Sequence, residues 1–444
     1  MRETLIEEIK KKWLHSGFQK YLRNTSWVFF AKFFSLGISF VTTIYVIRYL
    51  GPENYGVLAF SISFVGLFGF IAALGIDAVL YRELVKDLSR KDELLGTSLS
   101  LKVGASTLAI VLILISTIFI KNDYLAKILI AINSFSLLFA SFTVIGYYFQ
   151  ARIEAKYQSI SLILVTVVLN SLKLLVVFFD KGIIYFASVF LVENILYGLI
   201  SIYFYTKKGN TILNFTFNKN TAISLLRDSW PLMLSSAFIL VYTRIDQVML
   251  KFMTTNFNVG VYDAAARISE IWYFIPSLII SSIFPAILNS KKVSIEFFEQ
   301  RLTKLYSLVF YLAIIVALPI SIYSNYIIKI LYGNDFMQAA PVLSIYVWAG
   351  IPIFLTIAIN TYLLAENKNK ISFIGSFIGM TTNIILNLWL IPIHGIYGAA
   401  FATLISYSFI PLSILIFKDT RRQIILIKNG ILYPFKVINS KLWI

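Results

Sequence analysis

Five ionisable side chains stand close together in the middle of this chain of 444 residues, inside or beside two strongly apolar stretches. Arg244 and Asp246 lie near the end of the first stretch. Asp263, Arg267 and Glu270 lie at the start of the second. Ionisable groups in hydrocarbon are costly, and they usually face a protein interior or a wet cavity where ions or substrates pass. The pattern therefore predicts a functional site along these two segments.

The spacing of these residues indicates which of them share a helix face. Asp263, Arg267 and Glu270 are four and three residues apart, so they lie on one face. Arg244 and Asp246 are two residues apart and point to nearly opposite faces. We expect an ion pair between Asp246 and Arg267 across a helical hairpin. Such a network either ties two helices together, or Arg244 and Arg267 bind an anionic head group while the acids gate it.

Charged residues also fall inside other apolar stretches. Lys32 either faces a substrate or extends to the inner membrane surface, which lies only about one and a half turns away. Lys173 and Glu193, on neighbouring stretches, form a structural pair or take part in transport. An unpaired Glu193 would be a proton or cation carrier, since buried carboxylates can exchange protons. Lys102, near the end of its stretch, is expected to extend to the lipid head groups.

A later apolar stretch carries small and amide side chains at helical spacing. Gly375 and Gly379 form a GxxxG motif, which favours close packing against another helix. Asn383 and Asn387 follow one turn apart. Their amides either coordinate a cation or make hydrogen bonds that hold helices together.

The composition identifies the class of protein in which these groups lie. The chain is 58% hydrophobic and 14% charged, with a mean hydropathy of +0.80, whereas a soluble domain is about 25% charged. We therefore predict an all-α polytopic membrane protein with about twelve spans. The predicted spans are residues 26–47, 57–76, 97–120, 125–149, 159–179, 183–205, 229–250, 264–288, 305–327, 340–364, 371–391 and 395–417. Cysteine is absent and there are two histidines, which excludes disulfides and thiolate or histidine-cluster metal sites.

Lysine and arginine are distributed unevenly between the predicted connections. With the N-terminus inside, 28 of the 39 fall on inner segments and 5 on outer loops. This asymmetry predicts that both termini lie in the cytoplasm. It also assigns the net charge of +17 to the membrane surface and not to a nucleic acid.

The predicted spans divide the chain into five regions. They are an amphipathic N-terminal segment (1–25), a six-helix bundle (26–205), a cytoplasmic linker (206–228), a second six-helix bundle (229–417) and a basic cytoplasmic tail (418–444). No loop is long enough for a soluble catalytic domain, and the phosphate-loop motif of ATPases is absent. We therefore predict a transporter without catalytic residues or cofactors, driven by a proton or sodium gradient or by a partner.

The two halves contain a weak internal repeat. Trp27 precedes Gly56 by 29 residues, and Trp230 precedes Gly260 by 30. Each tryptophan opens a half, and each glycine stands just before or at the start of a predicted span. Two halves that both enter from the cytoplasm would form a parallel repeat, a common design in secondary transporters.

Three motifs resemble those of polysaccharide flippases in the multidrug/oligosaccharidyl-lipid/polysaccharide superfamily. They are RYLGPENYG at residues 48–56, LGID at residues 74–77, and RID at residues 244–246 followed by VGVYDAA at residues 259–265. The resemblance covers about residues 20–417. It implies two six-helix bundles around a central cavity that work by alternating access.

The resemblance also implies a substrate. Members of this family move oligosaccharide units linked to undecaprenyl pyrophosphate across the bacterial cytoplasmic membrane, for O-antigen, capsule, lipopolysaccharide or exopolysaccharide synthesis. Lys32, Arg244 and Arg267 would bind the pyrophosphate, since arginine makes paired contacts with phosphate oxygens. The residues that would gate the cavity or couple transport to an ion are Asp246, Asp263, Glu270, Glu193 and Lys173. A polysaccharide polymerase and a chain-length regulator are possible partners.

Two other functions are compatible with the sequence. A cation-coupled drug exporter of the same fold would use acidic residues for cationic substrates, and the several deep basic residues argue mildly against it. A membrane-embedded polysaccharide polymerase would need catalytic groups on an outer loop, whereas the predicted outer loops here are short and carry few charges.

Overall fold

A computed structural model describes residues 16–441, with side chains from residue 24 to residue 433. Within these residues all regular secondary structure is helical, as the apolar composition predicts. The predicted amphipathic segment, residues 1–25, lies for the most part outside the described residues, which begin at Ser16.

Eighteen α-helices follow one another along the described chain. They are α1 Ser16–Leu67, α2 Gly69–Ala73, α3 Ile76–Lys86, α4 Lys91–Ser116, α5 Tyr124–Ser134, α6 Ser136–Ala140, α7 Val144–Ala151, α8 Lys156–Phe178, α9 Ile183–Lys207, α10 Lys219–Met253, α11 Asn256–Glu270, α12 Phe274–Ser290, α13 Ile295–Ile322, α14 Ser324–Tyr332, α15 Ala339–Tyr346, α16 Gly350–Ala365, α17 Asn369–Leu412 and α18 Arg422–Lys441. Nine single turns of 3₁₀-helix join or extend them: Leu88–Arg90, Thr117–Phe119, Ser141–Thr143, Ile212–Asn214, Ile271–Tyr273, Asn334–Phe336, Val347–Ala349, Ser413–Leu415 and Lys418–Thr420.

Ten helical stretches of the described chain are long and apolar enough to cross a membrane. Two of them, Asn24–Leu67 and Asn369–Leu415, have 44 and 47 residues. A crossing takes about 20 residues, so each of these two is long enough to cross twice. The structure thus confirms a polytopic all-α protein and is consistent with about twelve crossings.

Each of the two long stretches contains a sharp break at a glycine. Gly51 has φ 67° and ψ 171°, and Gly395 has φ 55° and ψ −130°. Residues with a Cβ rarely adopt these conformations, whereas glycine adopts them readily. Pro52 follows the first break and has no N–H for the helical ladder. The breaks fall in or beside the connections that hydropathy predicts between spans one and two and between spans eleven and twelve.

The chain forms two compact units. The first takes in the described chain up to Tyr49 together with Phe64–Ala237, and the second takes in Leu50–Ser63 together with the described chain from Phe238 onward. The segment Leu50–Ser63 therefore packs with residues that follow it by about two hundred positions. The predicted division at residues 206–228 stays a prediction.

Each unit has its own apolar core. In the first, Ile76, Leu80 and Leu84 of α3 pack with residues of α4, α7 and α9. The second has a larger core, built from α12, α13, α16 and the second part of α17. Tyr242 of α10, the helix that carries Arg244 and Asp246, is part of the second core.

The GxxxG motif of α17 packs as predicted. An added Cβ on Gly375 would come 2.6 Å from Ser413 Oγ, and one on Gly379 would come 2.6 Å from Ile410 Cγ1. The two parts of α17 on either side of Gly395 therefore lie close together. This packing places Asn383 and Asn387 in the interior of the second unit, where both are fully buried.

Candidate functional site

A buried aspartate joins an arginine and a tyrosine in the second unit. Arg267 Nε donates to Asp263 Oδ2 at 2.7 Å and also to the hydroxyl of Tyr55. The Tyr55 hydroxyl in turn donates to the same carboxylate. Gln247 Nε2 donates to the other oxygen, Asp263 Oδ1, at 3.2 Å. The i, i+4 spacing of Asp263 and Arg267 thus gives the shared helix face that the sequence predicts.

Two glycines allow Tyr55 to reach this aspartate. A Cβ on Gly56 would overlap the carbonyl oxygen of Asn256, and a Cβ on Gly260 would overlap that of Pro52. The helix segments that follow Gly51 and Thr255 can therefore approach at backbone distance. Tyr55 directly precedes Gly56, and Asp263 follows Gly260 by three residues. The close approach of the two backbones therefore brings these side chains together.

A second acid, Asp246, lies in a separate buried network. Its Oδ2 accepts hydrogen bonds from the hydroxyls of Tyr262 and Thr403, both at 2.5 Å, and its Oδ1 accepts one from Asn387 Nδ2 at 2.6 Å. Asn387 also donates to Asn383 Oδ1 at 3.1 Å. Asp246 is 2% exposed. An oxygen-rich, fully desolvated cluster of this kind suits a proton or a hard cation.

The side-chain oxygen of Asn387 is buried without a hydrogen-bond partner. It belongs to the same cluster as the Asp246 carboxylate, since the amide nitrogen of Asn387 donates to that carboxylate. Buried polar atoms are nearly always satisfied, so an unsatisfied one calls for an explanation. A free carboxamide oxygen next to a carboxylate is a ligand that a monovalent or divalent cation would accept.

Arg244 and Glu270 form a third, looser arrangement. Arg244 Nη1 lies 4.0 Å from Glu270 Oε2, and the hydroxyl of Tyr346 donates to Glu270 Oε1 at 3.0 Å. The side chain of Arg244 is 38% exposed, and that of Arg267 is 37% exposed. Each arginine therefore has an acidic partner and a partly exposed side chain.

The expected ion pair between Asp246 and Arg267 is wrong. Arg267 pairs with Asp263 on its own helix, and Asp246 takes its hydrogen bonds from Tyr262, Thr403 and Asn387. The physical reason is that an aspartate four residues before an arginine already meets it on one helix face. The spacing of Arg244 and Asp246, by contrast, correctly predicts that they point in different directions. Arg244 lies near Glu270, whereas Asp246 contacts the three residues named above.

Lys32 lies in the first unit and lines a cavity there. The cavity has a volume of about 420 Å³ and also contacts Asn24, Gln150 and Gln158. Lys32 is exposed. Both predictions for Lys32, a substrate contact and a surface lysine, remain predictions.

Lys173 and Glu193 are close enough in the first unit to interact electrostatically. They lie on α8 and α9, which are consecutive helices. This arrangement suits the structural pair that the sequence suggests. A transport role for either residue stays a prediction.

The expectation that Lys102 extends to the head groups is wrong. Lys102 is 4% exposed, and its Nζ donates to Asp77 Oδ1 at 2.6 Å and to Thr143 Oγ1 at 3.4 Å. Asp77 stands in the first turn of α3, next to Gly75, where the helix direction changes. The side chain of Asp77 is 35% exposed, and its carboxylate makes the buried lysine less costly than hydropathy alone suggests.

The uncharged partners of the site were not predicted from the sequence. Tyr55, Tyr262, Tyr346 and Thr403 each donate to one of the acids. A signal was available for Tyr55 and Tyr262, because both stand in motifs that carry the family resemblance, residues 48–56 and 259–265. Nothing in local spacing distinguishes Tyr346 and Thr403 from the many tyrosines and threonines of apolar helices.

The helical fold with its buried ionisable networks defines a polytopic membrane transporter. The chain belongs to the family of polysaccharide biosynthesis proteins, whose sequence model matches residues 21–291. The predicted membership of a polysaccharide family is thereby confirmed.

Two relatives from Haloferax volcanii resemble most of the chain. The probable flippase AglR is 28% identical over 385 residues, which cover 82% of this chain and 76% of that protein. The probable low-salt glycan biosynthesis flippase Agl15 is 24% identical over 395 residues, which cover 87% and 81%. Both names describe transporters and not enzymes.

Solved structures share the fold. A multidrug resistance MATE family transporter of the MOP superfamily, in an inward-facing conformation, has a TM-score of 0.65 at 15% identity, over 90% of this chain and 95% of that one. The lipid II flippase MurJ, in an inward closed conformation, has a TM-score of 0.64 at 18% identity, over 94% and 93%. These similarities establish the architecture of the chain.

Proposed function

We propose that this protein is a flippase that moves a lipid-linked oligosaccharide across the membrane for the synthesis of a surface glycan. Its family and the names of its relatives support a role in glycan assembly. The described chain consists largely of membrane-type helices. A protein of this family that consists largely of membrane-type helices is suited to transport a membrane-anchored substrate.

The observation that carries the proposal is the pair of partly exposed arginines, Arg244 and Arg267, in apolar helices. The bonds of Arg267 to Asp263 and Tyr55 both use Nε, and a guanidinium has four further N–H donors. A pyrophosphate that enters a poorly hydrated space needs such donors, because arginine binds phosphate oxygens in pairs. The acidic partners keep each arginine in place and reduce its net charge, so that the substrate can leave again.

The finer details of the substrate are also part of the proposal. We infer an undecaprenyl-pyrophosphate carrier, a bacterial cytoplasmic membrane with both protein termini inside, and movement by alternating access. The charge asymmetry of the connections supports the orientation. The two relatives come from an archaeon, so the carrier lipid and the O-antigen or capsule destination depend on the source of this chain.

We further infer that the Asp246 cluster couples transport to a proton or sodium gradient. The cluster combines one carboxylate with the buried oxygens of Asn383, Asn387 and Thr403. A cation or proton that neutralises Asp246 would change its hydrogen bonds to Tyr262 and Thr403. Because these groups come from different helices, the bound ion can influence how the helices pack.

A complementation experiment tests the role of the arginines. Cells that lack this gene would receive the wild-type gene, Arg244→Ala, Arg267→Ala or the double variant, with protein levels matched by immunoblot. We expect surface glycan to fall strongly in each single variant and to vanish in the double variant. Wild-type amounts of glycan in both single variants would remove the arginines from the mechanism.

Export of free cationic compounds is the second candidate function, because a multidrug transporter has the same fold. Purified protein in liposomes separates the two functions. Gradient-driven uptake of a cationic dye, without movement of any lipid-linked glycan, would support the exporter.

A further inference from the structure

The cavity of the first unit is lined by groups that hydrogen bond and by one charge. Its volume of about 420 Å³ falls within the range of small-molecule sites, about 300–1,000 Å³. Its polar lining residues are Asn24, Lys32, Tyr81, Gln150, Gln158, Ser159 and Tyr197. Among the described residues that line it, Lys32 alone is charged.

Two glutamines are hydrogen-bonded to each other in this wall, and a tyrosine lies close to them. Gln150 Nε2 donates to Gln158 Oε1 at 2.8 Å. Gly146 leaves the space for Gln158 and Tyr197, because a Cβ there would come 3.0 Å from Gln158 Nε2 and 3.6 Å from the Tyr197 hydroxyl. The hydrogen bond holds the two amides together at the cavity.

A hydrogen bond also joins two of the helices that line the cavity, α1 and α8. The side chain of Asn24 accepts a hydrogen bond from the backbone N–H of Ala155 at 2.7 Å. This bond ties α1 to the start of α8, the helix that carries Gln158. Lys32, two turns beyond Asn24 on α1, is therefore held at the same cavity as the glutamines.

Such a wall matches the chemistry of a sugar. Each carboxamide has two N–H donors and two acceptor lone pairs. Gln150 and Gln158 share one hydrogen bond, so each keeps further donors and acceptors for neighbouring sugar hydroxyls. Tyr81 and Tyr197 add aromatic surface with a polar tip. Lys32 supplies a single positive charge, which a neutral sugar does not need.

We propose that this cavity binds one sugar of the transported glycan together with an anionic group attached to that sugar. The sugar hydroxyls contact Gln150, Gln158 and Tyr197, and the anion contacts Lys32. The anion is the phosphate that links the first sugar to the lipid or the carboxylate of an acidic sugar. The inference rests on the proposed flippase function and adds a glycan-recognition site in the first unit to the arginines of the second.

The first test separates sugar recognition from lipid transport. Liposomes that contain the full-length protein would be loaded with polyprenyl pyrophosphate or with polyprenyl pyrophosphate-glucose, and leaflet accessibility would be followed. Gln158→Leu should slow the glucose-bearing lipid about threefold to tenfold, as expected for one or two lost hydrogen bonds, and should leave the sugar-free lipid unchanged. Lys32→Gln should slow both lipids if the anion is the linking phosphate, and neither if the anion is the carboxylate of an acidic sugar.

A matched control lies on the same helix. Leu164 of α8 is 45% exposed and does not line the cavity, so Leu164→Ala should change neither rate. Equal rates for the two lipids in Gln158→Leu and in wild type would overturn the sugar site while flipping itself stands. Failure of the wild-type protein to move either lipid would instead count against the proposed function.

A binding measurement keeps the inference testable if Gln158→Leu folds poorly. The chain contains no cysteine, so Leu162→Cys in the cavity wall gives a single labelling site. Glucose 1-phosphate or glucuronic acid should slow its reaction with a maleimide, and glucose or inorganic phosphate alone should do so less. The stronger of the first two identifies the anion as phosphate or carboxylate. Equal labelling with all four compounds would contradict the proposal.

Discussion

Gly56 and Gly260, at matching places in the two halves of the sequence, lie against each other in the structure. A Cβ on Gly260 would come 3.0 Å from Gly56 N and would overlap the carbonyl oxygen of Pro52. The contact holds Tyr55 beside Asp263 and so completes the hydrogen bonds of Arg267. Because neither glycine has a side chain, the two backbones approach closely. This approach sets the position of the charged site.

The first prediction concerns this contact. Gly56→Ala or Gly260→Ala places a methyl group where backbone already lies, and over-packing of this kind costs about 1–3 kcal/mol or more. We expect a clear drop in the thermal unfolding temperature of the detergent-purified protein. Gly104→Ala is the control, since an added Cβ there meets nothing within 4 Å. Equal unfolding temperatures for all three variants would contradict the packing described here.

The second prediction separates two roles of Arg267. Arg267→Gln leaves the buried Asp263 without its cation, and removal of one partner of a buried pair costs up to about 3–5 kcal/mol. Adding Asp263→Asn should restore much of the stability, because the uncompensated charge is gone. Transport should remain lost in the double variant if Arg267 binds the substrate anion. Recovery of both stability and transport would show that the pair only ties the helix together.

The third prediction concerns coupling at Asp246. Asp246→Asn removes the charge while keeping the size of the side chain, so transport should lose its dependence on the ion gradient. Thr403→Val, which removes one hydrogen bond of about 0.5–1.5 kcal/mol, should give a smaller effect. Both are measured as initial rates in liposomes with and without a proton or sodium gradient. Glu299→Gln, at a partly exposed pair with Arg422, serves as control. An unchanged gradient response in Asp246→Asn would place coupling elsewhere.

The fourth prediction concerns the pair of Lys102 and Asp77 in the first unit, in which the lysine side chain is 5% exposed and the aspartate side chain 35%. Asp77→Asn should destabilise the protein by up to about 3–5 kcal/mol, because the buried Lys102 keeps a charge without its partner. The double variant with Lys102→Met should recover most of this loss. Glu366→Gln breaks a more exposed pair with Lys291, in which the lysine is 47% exposed, and should cost about 1 kcal/mol or less. A loss at Asp77 no larger than that at Glu366 would argue against the pair as described.

Much of the fold could be predicted from the sequence because hydrocarbon imposes simple requirements. Apolar stretches of about 20 residues indicate where the helices run. The order of the motifs also identified the family. The change of helix direction at Leu74 and Gly75 falls at the predicted end of the second span, residue 76. The breaks at Gly51 and Gly395 were not predicted as such, because hydropathy does not register backbone direction.

The site was predictable in its charges and not in its contacts. The spacing of Asp263 and Arg267 correctly placed them together, because i, i+4 neighbours meet on any helix. The partners of Asp246 lie 16 to 157 residues away in the sequence, and no local pattern encodes such distances. For the same reason Lys102 was assigned to the membrane surface, although its partner Asp77 lies only 25 residues away.

The proposed flipping is best tested by the leaflet accessibility of a labelled undecaprenyl-pyrophosphate oligosaccharide in liposomes that contain the purified protein. We predict protein-dependent movement that responds to a proton or sodium gradient, and a strong loss of that movement in the double variant Arg244→Ala and Arg267→Ala. If the labelled lipid does not move under either gradient, or if the double variant moves it at the wild-type rate, the proposed mechanism is wrong.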